Sequence, residues 1–116
     1  MMNLMRNAMA QERAFEMFMR EAGYERKTTF FYDFSVADYF GERAVKDTFK
    51  KAFDGYKQDV EYLTELVMVL NHKIGQHYKR NDKLARLYDE LWREADRYCV
   101  ENLKGEDLDY FYRTTD

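Results

Sequence analysis

Proline is absent from these 116 residues, glycine occurs five times and cysteine once. Without proline or any Ser/Gly-rich tract the chain has neither the punctuation of a linker nor the composition of a disordered tail. A single cysteine, Cys99, permits no internal disulfide, and we expect a reduced, cytoplasmic protein. No apolar run reaches the 18 residues that suggest a membrane span, and Arg6, Arg13 and Arg20 interrupt the Met-rich start, so no membrane association is expected. Charge of one sign is missing too: 19 Lys/Arg stand against 22 Asp/Glu, a net −3. That lacks the basic surplus with which nucleic-acid-binding domains release counterions, and nucleic acid is not an expected partner.

What the chain has in quantity is aromatic side chains, 17% of residues, with ten Tyr and nine Phe. They supply more core area per residue than a small domain usually has, and any left at the surface could anchor a partner. The length suits one core, so residues 1–116 are read as a single helical domain. Charge is uneven along it. Residues 1–58 carry ten Lys/Arg and nine Asp/Glu, whereas residues 81–116 carry six and ten, which makes the C-terminal third the acidic end.

The stretch Leu63–Ile74 (LTELVMVLNHKI) is apolar on almost every side of a helix. Val67, Met68, Val69 and Leu70 in succession require other helices around them, and the flanking segments are amphipathic enough to provide these. The expected fold is therefore all-α, a compact bundle of four main helices plus a short one. Its spine is an antiparallel pair at about 59–79 and 82–103, capped by Asp59 and broken at Asn81-Asp82. Leu66, Val67, Leu70, Ile74, Leu87, Leu91 and Trp92 are expected to be buried together.

Residues 2–22 form an expected helix stopped by Gly23, and its Met-rich face either joins the core or serves as a docking or dimerisation arm. Residues 24–34 show no helical period and read as an ordered connection. Pairing of 28–32 as a strand, in an α+β fold, is the competing architecture. Ser35, with an acid three residues on, resembles a capping box for a short helix ending at Gly41. A helix over 42–54 follows, ended by the turn signal Asp54-Gly55, and Glu106–Tyr112 adds a last turn.

Chemistry is hard to find. His72 and His77 are the only histidines and point about 140° apart on one helix, so they cannot chelate one ion together. Glu61 and Glu65 share a face with His72, but there is no Glu-x-x-His tetrad of the di-iron bundles, and we assign no metal or cofactor. Cys99 falls at a core position with no histidine near it in sequence, which argues against a catalytic thiol. The carboxylates of 89–101 interleave with arginines as on a solvated helix face. Arg43, Lys46, Lys50 and Lys57 do gather on one side of one helix. Either that stripe is an ordinary wet face or, with Tyr39 and Phe40 beside it, a contact surface for an acidic partner; Tyr39, Arg43, Lys46 and Lys50 are the candidate contact set.

The strings FSVADYFG, VKDTFKKAF, LTELVMVLNHKI, LYDELW, ENLKG and YFYRTTD resemble a family of short uncharacterised proteins from tailed phages and mobile elements of gut bacteria, over about residues 28–116. The resemblance implies a setting, an accessory protein in a host-cell cytoplasm, and no catalytic residue. The expected function is non-enzymatic binding of another macromolecule, a protein partner such as a host or defence target. The alternatives are self-association through the Met-rich helix, and an enzyme or small-ligand binder built on Glu61, Glu65 and His72.

Overall fold

A computed structural model of the protein describes the backbone of residues 4–21 and 30–115, with side chains from residue 13 onward. Six helices follow one another: α1 (Leu4–Glu21), α2 (Phe31–Phe40), α3 (Glu42–Tyr56), α4 (Val60–His77), α5 (Asp82–Asn102) and α6 (Glu106–Thr115). The described residues contain no strand, so the all-α bundle is the fold; α1, α3, α4 and α5 are its four main helices.

The central position of α4 follows from its sequence. Leu63 to Val67 are buried without interruption, and so are Val69 and Leu70, which only a helix covered on several sides can achieve. Its start is fixed as expected: Asp59 accepts hydrogen bonds from the backbone of Glu61 (3.0 Å) and Tyr62 (3.2 Å). Asn81 caps α5 in the same way, accepting from the Leu84 N–H at 3.1 Å. With only Tyr78–Asn81 between them, α4 and α5 pack antiparallel. Of the expected core, Leu66, Val67, Leu70 and Leu87 are buried, while Ile74, Leu91 and Trp92 are partly buried against them.

Around this spine α1 contributes Phe15 and Met19, both buried, and α6 contributes Phe111. So the part of the Met-rich helix with described side chains joins the core, although Met17 and Phe18 remain exposed. Gly23 and Thr28–Thr29 lie outside the described residues.

Four local expectations need correcting. α2 begins at Phe31, so Phe30–Phe34 belong to the bend and first turn of a helix, not to a connection or a strand. Ser35 therefore lies inside α2 and is no cap. Asp54-Gly55 does not end α3, which continues to Tyr56, and α6 is ten residues long where one turn was expected. The α2–α3 junction is the single residue Gly41 at φ +107°, a conformation that side-chain-bearing residues rarely adopt.

Candidate functional site

The polar residues of the interior are concentrated where α2 meets α4 and α5. On α2, Phe31, Phe34, Ser35 and Asp38 form one inward stripe at i, i+3, i+4 and i+7. Lys73 and His77, one turn apart, extend the Leu66–Leu70 face of α4 toward it. Lys73 is fully buried; its Nζ donates to Asp38 Oδ2 and to Ser35 Oγ, both at 2.8 Å, and lies 4.5 Å from the centre of the Phe31 ring. His77 Nε2 is 2.9 Å from the same Asp38 oxygen, and the Tyr88 hydroxyl of α5 donates to the other. The His77 and Tyr88 rings stack at 5.6 Å.

Burial alone would raise the Asp38 carboxyl, but hydrogen bonds from His77, Lys73 and Tyr88 and the charge of Lys73 together hold it below the usual carboxylate range. Burial pulls the Lys73 ammonium down, opposed by Asp38. Burial and the neighbouring carboxylate both push the Tyr88 hydroxyl up. We assign the proton of the pair to Lys73, because a carboxylate with donors on both oxygens is stabilised as the anion.

A second buried contact lies at the other end of α2. Glu65, fully buried on α4, accepts from the Phe30 N–H at 2.8 Å and so satisfies a backbone donor at the start of α2. Phe30 to Glu65 and Asp38 to Lys73 span the same sequence separation, 35 residues. α2 therefore runs beside α4 in the same direction, tied to it at both ends by side chains about 12 Å apart along each helix.

These residues escaped the sequence reading because each looks ordinary alone. The available signal was an acid at a core position of one helix and a Lys–His pair at core positions of another. The Glu61, Glu65 and His72 stripe does not assemble: Glu61 is exposed, Glu65 holds Phe30, and His72 packs against Phe15 (4.8 Å), Phe31 (5.5 Å) and Phe18 (5.9 Å). Burial, and then the charge of Lys73, lower the His72 pKa, which favours neutral imidazole there. Cys99 is buried, and burial together with Asp96 pushes its thiol up to about 12. On α5, Arg93 and Asp89 pair across one turn at 2.9 Å, as an exposed charged face would. Among the described residues no group of three His, Cys, Asp or Glu could hold a metal ion, and no helix is long and apolar enough to cross a membrane.

Beside α2, on the side away from α4, lies an apolar groove of about 730 Å³. Asp33, Val36, Ala37 and Phe40 of α2 face Ala44, Thr48, Lys51 and Ala52 of α3 across it. The small side chains set its depth, and Phe40 stands 68% exposed at one end. Burial raises the Asp33 carboxyl at its rim, partly offset by Lys51. Of the candidate contact set, Tyr39 is exposed with its ring edge-on to Phe40 at 5.3 Å, and Arg43, Lys46 and Lys50 are exposed along α3. The three cations lie roughly 150° around α3 from the groove-lining row, so they sit on the far side of that helix and do not line the groove.

A smaller cavity of about 380 Å³ opens between α1, α4, α5 and α6. Rings from all four helices wall it. No protein-family model, curated protein or solved structure matches the chain, so the reading of these features rests on their geometry.

Proposed function

We propose that the protein is a non-enzymatic binding domain whose α2–α3 groove takes an amphipathic helix from an acidic protein partner. The observation that supports it is the composition of α2 (FYDFSVADYF): apolar residues cover nearly its whole circumference, yet only one side is buried. A ten-residue helix with Val36, Tyr39 and Phe40 away from the core presents the kind of aromatic anchor on which interfaces depend. The groove is about 10–18 Å long, from the rise per residue of its two walls, which matches two to three turns of a bound helix. Residues 42–57 carry five Lys/Arg against three Asp/Glu, so an acidic partner is steered toward α3, with Tyr39, Arg43, Lys46 and Lys50 around the point of arrival.

The ionisable cluster at Asp38 supports the non-enzymatic reading, because its donors and acceptors are used on one another and none of its residues lines the cavities described above. The setting we propose, a phage or mobile-element accessory factor, rests on the string resemblance alone. Selection from a library of helical peptides tests the binding mode. Selected peptides should be amphipathic and acidic, should perturb the NMR signals of residues 33–40 and 44–56, and should lose binding to Ala44→Arg. Peptides that bind Ala44→Arg as well as the parent would overturn the groove assignment.

A further inference from the structure

We propose that the cavity between α1, α4, α5 and α6 binds a small neutral nitrogen heteroaromatic of nucleobase or nucleoside size. Its volume of about 380 Å³ lies at the lower end of ligand pockets, which excludes a folded peptide and suits one ring system with a small substituent. Phe18, His72, Trp92, Phe111 and Tyr112 supply rings from four helices, a lining that favours a flat ligand. Trp92 is the only tryptophan, and its indole has neither a ring partner nor a hydrogen-bond acceptor among the described residues, in contrast to the paired rings of Phe15, Phe31, Phe34 and Tyr88.

The polar groups decide the class of ligand. Asn71 on α4 offers an amide that both donates and accepts, Asp96 on α5 an acceptor, and Arg113 on α6 a donor. None of the three is hydrogen-bonded to another described residue, although all line one cavity with Trp92. An edge carrying adjacent N–H and ring-nitrogen or carbonyl groups answers this set, since an amide side chain can make two bonds to such an edge. A hydrocarbon of the same shape would desolvate Asn71 and Asp96 without replacing their bonds to water. The acidic C-terminal third, ten Asp/Glu against six Lys/Arg over residues 81–116, disfavours a phosphorylated ligand and selects the neutral base or nucleoside.

Because Trp92 is unique and lines the cavity, its fluorescence excited at 295 nm reports occupancy directly. Adenosine, guanosine, cytidine and uridine would each be titrated, with toluene as competitor and adenosine 5′-monophosphate as the charged comparison. We expect a saturable change with at least one nucleoside, weakened about tenfold by Asn71→Ala and by Asp96→Asn. The phosphorylated probe should bind more weakly than adenosine. Circular-dichroism melts would confirm that both variants fold. Absence of a saturable change with all four nucleosides, toluene binding as tightly as the best of them, or unchanged affinity in both folded variants would each overturn the proposal. The groove between α2 and α3 plays no part in this test, so its fate and that of the cavity are separable.

Discussion

His72 and His77 belong to the same helix, five residues apart, and live in opposite surroundings. His77 bonds to Asp38, stacks on Tyr88 and joins a cluster in which Lys73, Ser35 and Tyr88 also find partners. His72 is wedged among phenylalanine rings and, with Asn71 next to it, borders a cavity in which Asn71, Asp96 and Arg113 have no hydrogen-bond partner among the described residues. The first arrangement consumes its own hydrogen-bonding capacity and fixes α2 against α4. The second leaves that capacity to whatever enters. Ionisable side chains in the interior are thus poor evidence of chemistry when they are saturated, and a better guide to binding when they are not.

The contrast can be broken most forcefully at Asp38. Asp38→Ala leaves the fully buried Lys73 without its carboxylate, and denaturant unfolding should show a loss of about 3–5 kcal/mol. Exchanging both partners, Asp38→Asn with Lys73→Met, should recover most of that loss; if the double variant were no more stable than the single one, the pair would not be the coupled unit described. Leu70→Ala, an apolar truncation on the same helix, provides the scale at about 2–5 kcal/mol. A melt within a degree or two of the parent would contradict the central place of α4.

Acid titration of stability separates the two surroundings by pH window. The His72 pKa is depressed in the folded state, so as pH falls below about 6.5 the unfolded chain takes up a proton that the native one resists, and stability declines. Asp38 is also depressed, so its contribution is full above its unfolded value of about 3.9 and disappears as pH falls through the lower folded value. His72→Phe should flatten the first decline and Asp38→Asn the second. Interchanged effects would reverse the assignment of the two environments. The smallest effect is expected at the surface, where Lys46→Glu with Lys50→Glu should change stability by no more than about 0.5 kcal/mol while reducing the affinity of an acidic peptide for the groove.

Much of the fold was legible because its signals are local. Asp59 and Asn81 cap the helices that their positions announce, and the run from Leu63 to Leu70 could belong only to a surrounded helix. Where polar side chains misled, the cause was shared: a residue's partner lay far along the chain. Ser35 followed by Asp38 imitates a capping box, yet both side chains reach Lys73 across the bundle. Glu65 looked like half of a carboxylate–imidazole stripe, yet it serves the backbone of Phe30. The groove was hidden for the same reason, since Ala37, Ala44 and Ala52 mean nothing until α2 and α3 are known to lie side by side.

Cys99 has a practical use that follows from its burial. A thiol pushed up to about 12 and shielded in the core is almost entirely protonated and out of reach of maleimide reagents at neutral pH. A cysteine placed at an exposed position, Phe40→Cys or Met17→Cys, would then be the one thiol that reacts, with no need to remove the native one. Fluorophores, spin labels and photo-crosslinkers can therefore be attached one site at a time, each reporting from a chosen helix.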